Sequence, residues 1–284
     1  MNLTELKSHF TGKFNIPEVI SYINTINSFK IIKYENIIIK IYYNSNDKLD
    51  FYLINKVIKR GAFLLKDKIM TIHLIPSPAK KILRDDGIMT PENVNSGFTY
   101  YNKNDIYIFR KEEFPKVILH ELIHHDLKIH QDEFKKENEK KIKTHFNIAD
   151  NTLLILNEAI IELWATIYQL AFVSIDYNVE FRKLYNMEII YSLYKCHQIF
   201  KIQKGDKWKD ICNIYSYIIF KTILMINLNE FIKIYMYPIK YDDTILTNFL
   251  IKHSKIPNIK RNPEFTSNIK RPDNSLCFML FSDY

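Results

Sequence analysis

The segment His120-Glu121-Leu122-Ile123-His124 constrains this chain more than any other stretch of its 284 residues. In an α-helix, residues four apart lie about 40° from each other around the axis, so His120 and His124 project from one face. The positions between and before them are apolar: Val117, Ile118, Leu119, Leu122 and Ile123. The pattern predicts a mostly buried helix that carries two imidazoles side by side.

Two imidazoles on one helical face can share a metal ion. Zinc suits them because it accepts imidazole nitrogen at about 2.0–2.1 Å in tetrahedral geometry. Glu121 is turned about 100° from His120, close enough to reach a metal-bound water without being a ligand. A buried Glu121 with no partner and no role would be costly. We therefore predict one Zn²⁺ per chain, with His120 and His124 as ligands and Glu121 as the catalytic proton carrier.

A second acidic pattern follows at Asn157-Glu158-Ala159-Ile160-Ile161-Glu162. Glu158 and Glu162 are also four apart and share a face, in a helix that has few other polar residues. One carboxylate can bind the metal while the other accepts a ring N–H from a ligand histidine. We predict that one of these two carboxylates is the third ligand and that the other orients a ligand histidine. The alternative is a solvated acidic face.

These two segments together resemble the gluzincin metallopeptidases, the thermolysin-like group. In that family HExxH supplies two histidines, and a glutamate within a later N-E-x-x-x-D/E pattern supplies the third ligand. Residues 120–124 match the first motif, and residues 157–162 match the second with Glu162 where thermolysin has aspartate. The resemblance implies peptide-bond hydrolysis at zinc, with Glu158 bound to the metal and with Asn157 and Glu162 supporting the ligands.

The resemblance covers roughly residues 97–164 and implies an edge strand for the substrate. Gly97, Phe98 and Thr99 would form the strand on which the substrate backbone is laid. Exposed strand edges offer unpaired N–H and C=O groups to an extended peptide. A further Tyr or His donor is usual in such sites. The candidates here are Tyr168, Tyr185, Tyr191, Tyr194 and His197.

A rival third ligand is His130. Residues 120–130 fit the metzincin pattern HExxHxxGxxH, except that Leu127 replaces the glycine. That glycine lets the chain turn sharply, and without it the helix continues and leaves His130 about 120° around from His124. Glu158 is therefore the preferred third ligand. The neighbouring His125 is predicted to face away from the histidine pair, in a surface or supporting position.

Short strands and helices alternate in the first part of the chain, and helical spacing dominates the rest. We expect strands at 35–43, 70–75, 98–101 and 105–110, the last two as a hairpin, and helices at 17–29 and 47–65. The metal-binding helix should run from about Pro115 to Lys128, followed by a solvated Lys/Glu-rich stretch at 131–143. Further helices are expected at 151–173, 178–203 and 206–237, with extended or loop structure beyond Pro238.

The predicted fold class is α+β, with a zincin-like arrangement in two parts. Residues 1–111 form a mixed α/β sheet subdomain with the edge strand, and residues 112–284 form a mainly helical subdomain with the zinc site. The longest apolar stretch, 211–228, contains Lys221, so we expect a core helix and no membrane span.

Composition bears on partners and compartment. The net charge is +8, but a general enrichment in lysine accompanies the abundant Ile and Asn. A peptide or protein substrate is the expected partner, and nucleic acid is not; the oligomeric state is left open. The three cysteines show no CxxC spacing and the chain start has no apolar signal region, so we expect an intracellular protein.

Two other functional classes stay open. One is a basic helical protein that binds nucleic acid or an acidic partner without catalysis, supported by the lysine clusters at 135–143. The other is a catalytically inactive zinc-binding relative of the peptidases. Metal content separates the first alternative from the peptidase, and an activity assay separates the second.

Overall fold

The N-terminal part of the protein is a mixed five-stranded sheet with its flanking helices. The computed structural model describes residues 3–65, 68–84, 89–100, 103–127, 134–203, 205–235, 242–257 and 274–284. The strands are β1 (Ser28–Tyr34), β2 (Ile37–Tyr43), β3 (Met70–Leu74), β4 (Gly97–Thr99) and β5 (Asp105–Ile108). Their order in the sheet is β1-β2-β3-β5-β4, which leaves β4 at one edge.

The strands pair antiparallel, as hairpins, at the two edges of the sheet and parallel in its middle. Strands β1 and β2 are antiparallel around a tight turn in which Glu35 has a φ of 50°. The pairs β2/β3 and β3/β5 are parallel, and β4 pairs antiparallel with β5 so that Gly97 lies opposite Ile108. Parallel central strands are typical of a sheet covered on both faces.

The two faces of the sheet are covered by different helices. Ile37, Ile39 and Ile41 alternate along β2 and are fully buried against α3 (Phe51–Leu64). The opposite face, which includes Tyr42 of β2, packs against α1 (Leu3–Ser8) and α2 (Pro17–Thr25). This division follows from the period of two along a strand, which sends successive side chains to opposite faces.

Helix α5 (Phe114–Leu127) is buried on two sides, which explains its lack of a polar face. Val117, Ile118 and Leu122 pack into the core beneath the sheet. Leu119 and Ile123 pack instead against α7 (Glu158–Tyr177). Pro115 stands at the second residue of α5, in the first turn, where its missing N–H leaves no hydrogen bond unmade. The helix therefore joins the sheet to the helical part of the protein.

The C-terminal part is mainly helical and has its own core. Besides α7, its helical elements are α6 (Lys136–His145), α8 (Phe181–Ile202), a π-helical turn (Tyr215–Phe220), α9 (Lys221–Ile226), α10 (Leu228–Ile234) and α11 (Asp243–Lys252). The short helix α4 (Pro91–Val94) belongs to the first part and precedes β4. Among the described helices, α7 is long and apolar enough to cross a membrane. Most of it is buried against α5, α8 and α9, and we interpret it as a core helix.

The α+β class predicted from the sequence is confirmed, with the mixed sheet first and the helices after it. The expected β4/β5 hairpin and the helix at 114–127 are present. No disulfide joins the three cysteines, all of which are buried. The division at residues 111 and 112 stays a prediction, because α5 shares the core of the sheet.

Four of the predicted segments are wrong in part. Strand β1 begins at Ser28, where the sequence pattern predicted the end of a helix. The helix expected at 206–237 is a π turn followed by two short helices, and α7 begins at Glu158, seven residues after its predicted start at Asn151. Residues 243–252 form α11 in a region predicted to be extended, because Asp242 caps that helix by accepting the N–H groups of Thr244 and Ile245.

Candidate metal centre

Helix α5 places His120 and His124 one turn apart, with both side chains buried. Their Nε2 atoms lie 3.2 Å apart, and the ring planes are inclined at 73°. Because the two rings meet edge-on and their Nε2 atoms are this close, the lone pairs of both nitrogens point into one small space. The helical spacing in the sequence therefore produces the expected pair of imidazoles.

Glu158, the first residue of α7, completes a triangle of donor atoms. Its Oε2 lies 3.3 Å from Nε2 of His120 and 3.3 Å from Nε2 of His124. Tetrahedral zinc ligands bound at about 2.0–2.1 Å are separated from one another by about 3.3–3.4 Å. All three side chains are buried. The donor set fits one zinc ion in both chemistry and spacing.

The electrostatics of this triangle favour a positive charge at its centre. Oε2 of Glu158 is buried and makes no hydrogen bond within the described part of the chain. Burial opposes ionisation of Glu158, but the imidazoles of His124 and His120 hold its pKa well below the usual range. Burial also disfavours a charged His120, yet Glu158 and Glu162 raise the pKa of that imidazole to about 9. A bound metal would supply the charge that a proton supplies here.

Glu162 lies one turn further along α7 and orients His120 from behind. Nδ1 of His120 lies 2.9 Å from Oε2 of Glu162, and the other carboxylate oxygen accepts a hydrogen bond from the ammonium of Lys116. Burial opposes ionisation, but Lys116 and His120 lower the pKa of Glu162 well below its usual range. An N–H on Nδ1 leaves Nε2 as the lone-pair donor, which is the tautomer a metal ligand needs.

Glu121 lies beside the triangle and against the edge strand. Its side chain is buried, and burial raises its pKa, although His120 and His124 partly offset that rise. Its Oε1 would lie only 3.1 Å from a Cβ atom at Gly97. The same Cβ would lie 3.0 Å from Val117 and 2.9 Å from Ile108. The missing side chain of Gly97 therefore allows β4 to approach α5.

With Glu121 in the catalytic role that the sequence predicts, we expect Gly97→Ala to lower hydrolytic activity about 10²-fold, because displacing a catalytic group by about 1 Å has an effect of that size. Zinc content should stay unchanged, since the atoms nearest to the new methyl group belong to Ile108, Val117 and Glu121. The measurement is kcat/KM for a peptide substrate together with metal content per chain.

Gly61→Ala is the matched control for this variant. A Cβ at Gly61 would lie 3.0 Å from Leu122, on the same helix α5 but away from the cleft. Both variants should lose stability through overpacking, by about 1–3 kcal/mol. If Gly61→Ala lowers the activity of the folded protein as much as Gly97→Ala, the effect belongs to the position of α5 and not to Glu121.

Strand β4 is joined to α5 by His125. The sequence predicts a surface or supporting position for this residue, and the structure buries it in hydrogen-bond contact with the hydroxyl of Thr99. Burial, with help from Lys68 and His124, lowers the pKa of His125 to about 4. The ring is therefore neutral at pH 7. It supports the edge strand, and a surface position is wrong.

A cleft of about 180 Å³ opens over the donor triangle. The predicted strand residues Gly97, Phe98 and Thr99 line one wall. Phe14, from a 3₁₀ turn at Gly12–Phe14, stacks on Phe98 with ring centroids 4.2 Å apart. The structure therefore brings the predicted edge strand and the predicted ligands to one space. Binding of a substrate there stays a prediction.

Tyr217 also lines this cleft, and sequence analysis missed it. Its ring centroid lies 6.0 Å from that of His120. Burial, together with the nearby carboxylates of Glu158 and Glu121, raises its pKa well above the ordinary value, so the hydroxyl stays a hydrogen-bond donor. Tyr217 belongs to the π-helical turn, and such turns are frequent at functional sites.

The five aromatic donors predicted from the sequence lie outside the lining of the cleft. Three of them have hydrogen-bond partners of their own: the hydroxyl of Tyr185 donates to the carbonyl of Met225, that of Tyr191 donates to the carbonyl of Cys277, and that of Tyr194 accepts from the side-chain amide of Gln198. Helical spacing in the sequence gives no sign of the extra residue that a π turn inserts. No local signal would have selected Tyr217.

Two further predictions concern Asn157 and His130. Asn157 is buried immediately before α7, where its carbonyl accepts the N–H groups of Ile160 and Ile161. Its supporting role toward the ligands stays a prediction. His130, the alternative third ligand, lies outside the described residues.

Comparisons with known proteins add no family to this geometry. No protein-family model, curated protein or solved structure matches the chain. The resemblance to the gluzincins consequently rests on the residues of the two motifs. A function for this chain has to be argued from the site itself.

Proposed function

We propose that this protein is a zinc-dependent metallopeptidase that hydrolyses peptide bonds. The observation that carries the proposal is the triangle of His120, His124 and Glu158, whose donor atoms are 3.2–3.3 Å apart with Glu121 beside them. A structural metal site is closed by four protein ligands, whereas a catalytic one keeps a position for water or substrate. Three donors facing a cleft favour the catalytic kind.

His120, His124 and Glu158 would hold the zinc. When bound, the ion lowers the pKa of a coordinated water and polarises the substrate carbonyl. The hydrogen bond between Glu162 and Nδ1 of His120 keeps that ring in the ligand orientation, and Lys116 holds Glu162 in place.

Glu121 is the group that moves protons. It takes a proton from the attacking water and delivers it to the leaving amine. A carboxylate does this best when its pKa lies closer to the working pH than usual, and burial shifts the pKa of Glu121 upward. It lies at the cleft and is not one of the three donors.

The shape of the cleft supports a peptide as substrate. Strand β4 is at the edge of the sheet, so its outer side can pair with an extended backbone. The hydroxyl of Tyr217, which also lines the cleft, is a donor for the carbonyl oxygen as negative charge develops on it. Together they would fix a backbone beside Glu121.

Metal removal and return test this proposal. We expect about one zinc ion per purified chain, loss of cleavage of a mixed-sequence quenched-peptide library after chelation, and recovery when zinc is added. Zinc at about 100 times its Kd should also stabilise the fold by about 2.7 kcal/mol, measured as a rise in the unfolding midpoint. Full cleavage by the metal-free protein would contradict the proposal, as would a zinc-loaded protein that cleaves no peptide.

A further inference from the structure

A second cavity adjoins the cleft. Its volume is about 40 Å³, and the residues that it shares with the cleft are Asn95, Gly97, His120, Glu121 and Tyr217. The walls that are its own include Lys81, Ser96, Lys116, Glu162 and Phe278. We call this cavity the side pocket.

Phe278 reaches the side pocket because buried polar groups hold the segment 274–284 in place. Oε1 of Glu113 accepts the N–H of Phe278 at 2.9 Å, and the ammonium of Lys221 donates to the carbonyl of Phe278 at 2.8 Å. The Phe278 ring stacks on Tyr217 with centroids 5.2 Å apart. The side pocket is therefore a fixed part of the fold next to the cleft.

The side pocket is rich in buried hydrogen-bond donors. Nζ of Lys81 forms an ion pair with Glu113 at 2.7 Å, and Nζ of Lys116 pairs with Glu162. Each ammonium carries three N–H donors, and within the described ranges each has a single carboxylate partner. The hydroxyl of Ser96 is buried and makes no hydrogen bond to any described residue. Such donors lower the free energy of the protein when an acceptor enters.

The structural roles of the two lysines account for only part of this arrangement. The ion pairs with Glu113 and Glu162 offset the charges of the two ammonium groups. Both groups also adjoin one cavity, at 3.9 Å and 5.6 Å from the centre of the Phe278 ring. The N–H groups that these ion pairs leave over, together with the Ser96 hydroxyl, can donate to an acceptor in the cavity.

The size of the side pocket selects among anions. A volume of about 40 Å³ admits roughly three water-sized groups. A planar carboxylate has three heavy atoms and fits, whereas a tetrahedral phosphate has five. We propose that the side pocket binds a carboxylate of the substrate next to the scissile bond. This rests on the proposed peptidase function, and the carboxylate comes either from an Asp or Glu side chain or from the free end of a short peptide.

Matched peptides test the proposal on the zinc-loaded protein. The pairs are Asp against Asn, Glu against Gln, and a free C-terminal acid against its amide, each placed next to the scissile bond. We expect kcat/KM to be about tenfold or more higher for the acid in at least one pair, since a site built for a charged group rejects its neutral analogue. The pair that shows the preference identifies the source of the carboxylate. Equal rates in all three pairs overturn the proposal.

Binding to the metal-free protein separates this proposal from the peptidase function. The same acid peptide should bind with a Kd about tenfold lower than its amide, measured by calorimetry, whether or not any peptide is cleaved. Absence of cleavage by the zinc-loaded protein would overturn the peptidase function. Equal Kd values for acid and amide would overturn the carboxylate pocket.

Variants assign the preference to the pocket. Lys81→Met and Ser96→Ala should each reduce the acid-to-amide ratio to below about threefold, because each removes a donor for the carboxylate. Lys195→Met is the control, since Nζ of Lys195 donates to the carbonyl of Ser275 in the same 274–284 segment but lies outside the pocket lining. It should keep the ratio of the unmodified protein. If Lys195→Met lowers the ratio as much as Lys81→Met, the preference reflects the position of the segment and the proposal is wrong.

Discussion

Replacing Glu121 with glutamine is expected to reduce hydrolysis about 10³-fold while leaving the metal in place. Glutamine has nearly the same shape but cannot accept the proton of the attacking water. The three donor atoms do not include Glu121, so the zinc content should remain about one per chain. The measurement is kcat/KM on a cleaved peptide, with metal analysis of the same sample.

Stability separates a chemical effect from a folding defect. The Glu121 side chain is buried and its pKa is raised, so the charged form is disfavoured in the fold. The neutral amide relieves that cost, and the unfolding midpoint of the metal-free variant should not fall.

Glu188→Gln provides the same chemical change elsewhere in the interior. Glu188 is fully buried on α8, and its Oε2 accepts the N–H of Leu280, a contact that the amide oxygen can keep. Activity of the folded protein should stay within about threefold of the unmodified protein, since Glu188 lies outside the lining of the cleft. Stability should fall, because the buried ammonium of Lys221 loses its ion-pair partner. Equal losses in the Glu121 and Glu188 variants, or normal cleavage by Glu121→Gln, would remove Glu121 from the mechanism.

The residues of the donor triangle could be predicted because their spacing is local. His120 and His124 depend only on the helical period, and so does the pair Glu158 and Glu162 on the next helix of the core. What the sequence could not give is the distance between the two helices. That distance comes from the packing of Leu119 and the side chains around it against α7.

The parts that were missed depend on contacts between distant segments or on unusual local structure. Strand β1 is largely exposed, so it lacks the alternation of apolar and polar residues that marks a half-buried strand. Tyr217 reaches the cleft through a π turn. Phe278 reaches the side pocket through hydrogen bonds to residues more than fifty positions away, such as Glu113 and Lys221.

Helix α11 is a different case, because its signal was present in the sequence. Asp242 precedes the helix as a capping residue, and Leu246, Phe249 and Leu250 have the spacing of one apolar face. The several prolines after Pro238 outweighed that signal. Proline density describes a region on average and does not exclude one capped helix within it.

Glu158→Ala is expected to reduce zinc affinity by at least about 10³-fold, since it removes one of three protein ligands and the only carboxylate among them. Glu162→Gln should reduce it only about 10–100-fold, the usual effect of a residue that orients a ligand. Competition with a coloured zinc chelator measures both. Zinc binding by Glu158→Ala as tight as that of the unmodified protein would place the third ligand elsewhere, with His130 the first residue to test.

In the metal-free protein, the two variants should rank in the opposite order by their loss of stability. Glu162→Gln leaves the buried ammonium of Lys116 without an ion-pair partner among the described residues, a change that costs about 3–5 kcal/mol. Glu158 has no lysine or arginine partner in that part of the chain, and its neighbours there are the two imidazoles. Chemical denaturation of the metal-free variants should therefore find Glu162→Gln less stable than Glu158→Ala. If Glu158→Ala loses most of the zinc affinity and the least stability, Glu158 serves metal binding, because removing a carboxylate that stabilises the fold would lower both quantities.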